Sequence, residues 1–368
     1  MENAGRPHRH AAVIVPVQML RGAAASLVVA YHLLERLVRR GAFPGGLPAW
    51  SDSGRIGVVT FFVISGFIMV HTTIGEFGAP GAGGRFLLRR IERILPLYWL
   101  TTLVMLVFAW ATARYSTNGG YVAPTSDMVW LSAGFVPYIG FQGLAQPVYA
   151  LGWTLEYEMF FYLVFAAALA LPRRAGMVLA MVLLALLVSA GARLPDPPAV
   201  VGQVVAVFYF TRPIMLYFAA GMAIAWWRVA RGPMALALPD WAIGLVASVM
   251  LMAAVRWQLL ADGAVSAALV TGAVALATLT RAGRGQPAGL TWLSKRFGDV
   301  SYSIYLTHSF LLGALAAVGW RFAARGTGET AAVILVACVV CAVAAWPVWR
   351  LVERPVTRGL QRRTGASS

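Results

Sequence analysis

The chain has 368 residues, 60% of them hydrophobic and only 12% charged, with a formal net charge of +16. A mean hydropathy of +0.72 excludes a soluble globular domain, and the cations are dispersed among short loops with no nucleic-acid module around them. What remains is a polytopic membrane protein. About ten apolar runs reach the roughly 20 residues that a bilayer crossing takes, near 13–34, 54–73, 94–112, 151–171, 176–192, 203–227, 239–260, 263–280, 300–322 and 330–352. The fold predicted is an all-α integral membrane bundle of one domain over 1–368, with the bundle at about 13–352, short cytoplasmic tails and no appended extracellular domain. Arg89, Arg90, Arg93, Arg173, Arg174, Arg228 and Arg231 fall on one side of such a bundle, which makes that side, and both termini, cytoplasmic.

The first run is too long for a cleavable signal and carries Arg21, so it is expected to stay in the membrane. Eleven residues separate Arg21 from His32. At 100° and 1.5 Å per residue they share one helix face about 16 Å apart. An ionisable group within a span is costly and points to function. Here the arginine can hold an anionic or polarised group, and the imidazole, which titrates near neutrality, can move a proton. The alternative is a structurally paired arginine and a histidine at the membrane surface.

In the second run, Phe61-Phe62-Val63-Ile64-Ser65-Gly66-Phe67 lacks the GxSxG setting of a nucleophilic serine; Gly66 predicts close helix packing. The glycine-rich stretch at Gly78–Gly84 has no Lys-Ser or Lys-Thr after it and reads as a loop, not a nucleotide cradle. A basic segment, Arg85 to Trp99, then enters the third run, with Arg90 and Arg93 three residues apart on one face. Guanidinium forks suit phosphate oxygens, and lipid headgroups are the other candidate partner.

The fourth run opens with Gly152-Trp153-Thr154-Leu155-Glu156-Tyr157-Glu158. Two carboxylates among aromatic residues must be paired or wet. If this helix descends from the outer side, Glu158 is expected at the depth of His32, where it can fix the tautomer of the imidazole; the alternative is that both acids balance buried arginines. Ser301, Tyr305 and His308 place hydroxyls and a second imidazole on one face of the ninth run, suited to an internal cavity or to inter-helix hydrogen bonds. Cys338 and Cys341, in the last run, lack a second ligand pair and read as packing residues.

Taken together, QMLRG with His32 beyond it, GVVTFFVISGFI from Gly57, RRIERILPLYW from Arg89, WTLEYEMFFY from Trp153 and SYSIYLTH from Ser301 resemble the acyltransferase 3 family of membrane acyltransferases. The resemblance runs from Gln18 to the VERP ending at Pro355 and is nearest to the subset acting in exopolysaccharide production. It departs from many relatives at Gln18, where they carry an acid. The resemblance implies an O-acetyltransferase in the inner (plasma) membrane, moving an acyl group, acetyl first, from cytosolic acyl-CoA to a hydroxyl of a surface polysaccharide or lipid-linked sugar. It implies no metal. His32 becomes the general base, and Arg21 positions the thioester or stabilises developing charge. Glu158 then orients His32 or another catalytic cation. Arg89, Arg90 and Arg93 become the phosphate contacts of coenzyme A. Tyr302, Tyr305, His308, Arg212 and Trp153 are candidates for the acceptor site. The rival readings are a non-glycan acceptor, such as a macrolide or a lipid, and a membrane transporter or flippase, which also carries ionisable residues at depth.

Overall fold

The computed structural model describes residues 14–43, 53–115, 123–195, 200–234, 236, 238–258, 263–280, 288–323 and 325–363. Its helices are α1 (Val15–Arg39), α2 (Ser53–Thr73), α3 (Ala82–Tyr115), α4 (Ser126–Ala133), α5 (Trp153–Leu169), α6 (Arg173–Gly191) and α7 (Ala206–Phe210). They continue with α8 (Leu216–Arg231), α9 (Asp240–Gln258), α10 (Gly263–Leu279), α11 (Ala288–Ala323), α12 (Thr327–Val348) and α13 (Arg354–Arg363). Among the described residues there is no strand, only isolated bridges such as Tyr138 with Val204. The protein is an all-α polytopic membrane protein. Eight of its helical segments are long and apolar enough to cross a bilayer; α5 and α10, each 17 residues, account for the other two predicted runs.

Three runs differ from expectation; the ninth starts twelve residues earlier than predicted, at Ala288. The stretch 203–227 is not one helix but α7, a break at Thr211-Arg212, a short 3₁₀ turn at Pro213–Met215 and then α8. The cause is local: proline disfavours helical geometry in the residue before it, and Arg212 is extended at φ −74°, ψ 149°. The third run starts earlier than predicted, at Ala82, so Arg85 through Arg93 extend the spanning helix as continuous turns.

α1 is the helix around which the rest assemble. It packs most extensively on α11 and α2, and also on α9, α12 and α10. Leu20, Ala24, Val28, Leu33, Leu34 and Leu37 are buried on it, wrapping well beyond a single stripe, as expected of a helix enclosed by others. α1 and α11 run in the same direction: Gln18 lies against Gly298, Gly22 against Phe297, and Arg36 donates to Ser309. First and ninth crossings must be parallel in an alternating order, and they are.

α3 and α5 are antiparallel. Gly83 faces Ala166, the Phe86 ring meets Tyr162 and Phe165, and Gly152 sits on Tyr98. α5 therefore begins opposite Tyr98, about 17 residues or 25 Å short of the end of α3. The segment between α4 and α5 fills this gap by folding back into the bundle. Tyr138, Tyr149 and Leu151 are buried, and Tyr149 donates to the Leu306 carbonyl at 2.6 Å. Irregular backbone at membrane depth is tolerable when protein surrounds it.

The predicted close packing at Gly66 is present. A Cβ there would lie 2.1 Å from the Phe218 carbonyl oxygen of α8, and one on Gly221 would lie 2.0 Å from the Val63 carbonyl oxygen. Backbone is against backbone, so neither neighbour can rotate away. Gly221→Ala is expected to cost about 1–3 kcal/mol of stability through overpacking, read as a lowered thermal midpoint of the detergent-purified protein. Gly84→Ala, with nothing within 4 Å of the added carbon, is the control and should leave that midpoint unchanged or slightly raised.

Candidate active site

α1, α2, α3, α5 and α11 enclose a cavity of about 150 Å³. Its charged lining is Arg21, Arg90, Arg93 and Glu158; its polar lining is Ser65, Thr154, Tyr162, Ser301, Tyr302 and Tyr305, and the rest is apolar. Three half-buried guanidinium groups and one carboxylate line it, and the carboxylates of Asp299 and Glu353 act on Arg21 from beyond the lining.

Each charged group is held by its neighbours. Arg21 donates to Gln18 Oε1 at 3.3 Å, one helical turn back, so the amide at position 18 takes the place of an ion pair. Arg90 lies over the rings of Phe86 and Tyr162, 5.5 and 5.9 Å from their centroids, a cation–π arrangement on two faces, and its buried Nε has no hydrogen-bond partner in the protein. Glu158 accepts from Ser65 Oγ at 2.9 Å and from the Tyr162 hydroxyl. Tyr302 donates to the Ile94 carbonyl at 2.9 Å, tying α11 to α3. Tyr305 donates to the Leu151 carbonyl at 3.1 Å and shares a hydrogen bond with Thr154 at 2.8 Å.

A second cluster lies farther along α1 and α11. The His32 and His308 rings are 5.3 Å apart, and the His308 ring is 6.2 Å from Tyr305. His32 Nδ1 is 3.3 Å from Glu35 Oε2, and the other oxygen of Glu35 pairs with Arg39 at 2.5 Å. His308 is fully buried; its Nδ1 donates to the Ile304 carbonyl at 3.0 Å, leaving Nε2 without a partner.

Of the residues selected from sequence, Arg21, Glu158, Arg90, Arg93, Tyr302 and Tyr305 therefore meet in one cavity. His32 and His308 meet each other beyond it, with Tyr305 between. The other three stand apart. Arg89 forms a two-point ion pair with Glu76 at 2.8 and 2.9 Å. Trp153 packs edge-on against Tyr157. Arg212 is exposed over the ring of Phe208 at 4.3 Å.

Of the readings open for Glu158, the structure places it with the arginines and not beside His32. Because α5 starts deep, Glu158 reaches the level of Arg21 and Arg90, where its Oε1 accepts from both Ser65 and Tyr162, while the carboxylate beside His32 is Glu35. Three contributors escaped the sequence reading. Ser65 was read only for the missing elbow, Tyr162 is one aromatic among many, and Glu35, one turn after His32, was legible from the i, i+3 rule. The cysteines sit on α12, Cys341 buried and Cys338 near the Ser26 carbonyl at 3.7 Å.

The family model described as an acyltransferase domain matches residues 17–350. The chain belongs to this acyltransferase 3 family, and its class is membrane O-acetyltransferase. It is 33% identical over 318 residues to the exopolysaccharide production protein ExoZ of Rhizobium meliloti (strain 1021), covering 85% of this chain and 93% of that one. It is also 27% identical over 172 residues to the peptidoglycan O-acetyltransferase OatA of Listeria monocytogenes, covering 45% of this chain and 25% of that longer protein. No solved structure matches.

A hydrogen bond to a charged acceptor contributes about 1.5–3 kcal/mol, and the half-buried Glu158 sets the expectation at the lower end of that range. Tyr162→Phe, which takes one hydroxyl from Glu158 and keeps the ring beneath Arg90, should lower the chemical-denaturation stability of the purified protein by that amount. An unchanged midpoint would mean the bond contributes nothing.

Proposed function

We propose that the protein transfers an acyl group, acetyl first, from cytosolic acyl-CoA to a hydroxyl of a surface polysaccharide or lipid-linked sugar. The observation that carries this reading is the cavity in which Arg21, Arg90 and Arg93 converge against the single carboxylate of Glu158. Phosphate oxygens suit Arg90 and Arg93, on the helix that begins with the cytoplasmic basic segment. Val58, Phe61, Phe62, Ile68 and Leu155 offer an apolar wall to the long uncharged arm that follows the phosphates. Arg21 positions the donor within the cavity on its way to the imidazole, and Glu158 offsets part of the charge of the arginines. The arm must pass Tyr305 to bring its thioester to His32, which acts as the base on the acceptor hydroxyl. His308, on the outer side of Tyr305, lies where the acceptor enters. The relatives named for exopolysaccharide production and for peptidoglycan O-acetylation support a glycan as that acceptor. Both termini on the cytoplasmic side of the inner membrane agree with the distribution of arginines.

The test uses membranes supplied with acetyl-labelled acetyl-CoA, scoring base-labile label on surface glycan. Native protein is expected to transfer label, and a His32→Ala variant expressed to the same level is expected to lose at least 10²-fold, the usual contribution of a general base. Substrate flux without covalent change would instead identify a transporter. Arg90→Ala/Arg93→Ala should weaken acyl-CoA binding to the purified protein by about tenfold or more, whereas Arg89→Ala, whose side chain is committed to Glu76, should change it by less than about threefold. Equal binding by the double variant would move the donor site elsewhere.

A further inference from the structure

We infer that Glu35 is a positioning residue for His32: its carboxylate accepts Nδ1–H, fixes the imidazole in the tautomer whose Nε2 carries the lone pair, and stabilises the imidazolium formed during transfer. The inference rests on the reading of His32 as the base and names the group through which that base is held.

The geometry makes the case from both sides of the ring. Nδ1 of His32 has Glu35 Oε2 at 3.3 Å. The carboxylate is itself oriented, because its other oxygen is clamped by Arg39 at 2.5 Å, and a carboxylate accepts without donating. The nitrogen facing Glu35 must therefore carry the hydrogen, so Nε2 of the neutral ring is bare. On the other side the His308 ring lies 5.3 Å away. His308 cannot cap that lone pair: its own hydrogen is on Nδ1, donated to Ile304, and its buried Nε2 is another acceptor without a donor. The remaining cation on this turn, Arg36, is turned to Ser309 through its carbonyl at 3.1 Å and hydroxyl at 2.8 Å. The edge-on ring of Tyr31 completes the surroundings of His32. Glu158, the carboxylate of the neighbouring cavity, is held by Ser65 and Tyr162 through its Oε1. Glu35 is thus the acid placed to serve His32, as a carboxylate serves the imidazole in hydrolytic triads.

The step balances without a further reagent. The acceptor oxygen attacks the thioester carbonyl, forming the C–O bond, and its proton passes to His32 Nε2; Nδ1–H stays on nitrogen against Glu35. When the C–S bond breaks, its electron pair leaves on sulfur, which takes the proton from Nε2 and departs as the free thiol. The acylated hydroxyl and neutral His32 remain.

The chain holds five histidines, so ¹⁵N-histidine labelling of the detergent-purified protein gives few signals, and a His32→Ala spectrum assigns the one that matters. In the native protein the His32 signals should report Nδ1–H. Glu35→Ala should move them toward the Nε2–H form, and Glu35→Asp should keep the native tautomer. In the transfer assay Glu35→Ala should lower kcat by about 10²-fold with the KM for acetyl-CoA within about twofold of native, and Glu35→Asp should recover at least a tenth of native kcat. A native tautomer in Glu35→Ala, or native kcat in that variant while His32→Ala is inactive, would overturn the role of Glu35. Activity retained by His32→Ala would instead overturn the reading of His32 as the base, and the tautomer measurement separates the two failures.

Discussion

The structure depends on holding three half-buried guanidinium groups inside a membrane bundle. Charge in such a medium must be paired, hydrogen-bonded or laid against polarisable surface. All three devices surround the cavity: Glu158 with its two hydroxyl donors, the Gln18 amide one turn below Arg21, and the two ring faces that carry Arg90. Three arginines and one carboxylate line the cavity, with Asp299 and Glu353 acting on Arg21 from beyond it; under the proposed reading the arginines take the phosphates of the donor.

That arrangement is possible because helix ends are not where a simple count of spans puts them. α5 starts opposite the middle of α3, and the backbone from α4 to α5 turns inward, with Tyr149 hydrogen-bonded to the Leu306 carbonyl of α11 and Tyr138 to the Ser132 hydroxyl of α4. The inward turn lowers Glu158 to the arginines. The Arg212-Pro213 break does comparable work next to it, ending α7 and letting α8 start where Gly221 can press on Val63 and Gly66 on Phe218. Backbone contact at this crossing fixes α2, and with it Ser65, against the cavity. Small residues at such crossings supply the packing that the hydrophobic effect does not provide between helices in lipid.

Along α1 and α11 the polar groups fall into two compartments divided at Tyr305. One end gathers the arginines; the other holds the histidine pair and Glu35. Under the proposed reading this division matches a donor that is long and charged at one end only: its phosphates stay with the arginines, its reactive carbonyl travels to the imidazole, and the acceptor approaches from the opposite side. Both compartments are attached to the same two parallel helices, so their spacing is set by helical rise and does not rely on loops.

The sequence by itself determined the class of fold, the apolar runs, the shared face of Arg21 and His32 and the closeness of α2 to a neighbour at Gly66, because these follow from hydrophobicity, helical period and the size of a side chain. It also carried Glu35 in plain view, three residues after His32. Tertiary structure decided which carboxylate meets which cation. A four-residue spacing that brings Tyr162 to Glu158 is local, but the depth of α5 relative to α3 depends on a loop folding inward and on Gly152 meeting Tyr98, contacts between residues far apart in the chain. No periodicity encodes such a contact; it exists only when the helices have packed. That is why Glu158 lines the cavity of the arginines and Arg89 pairs with Glu76.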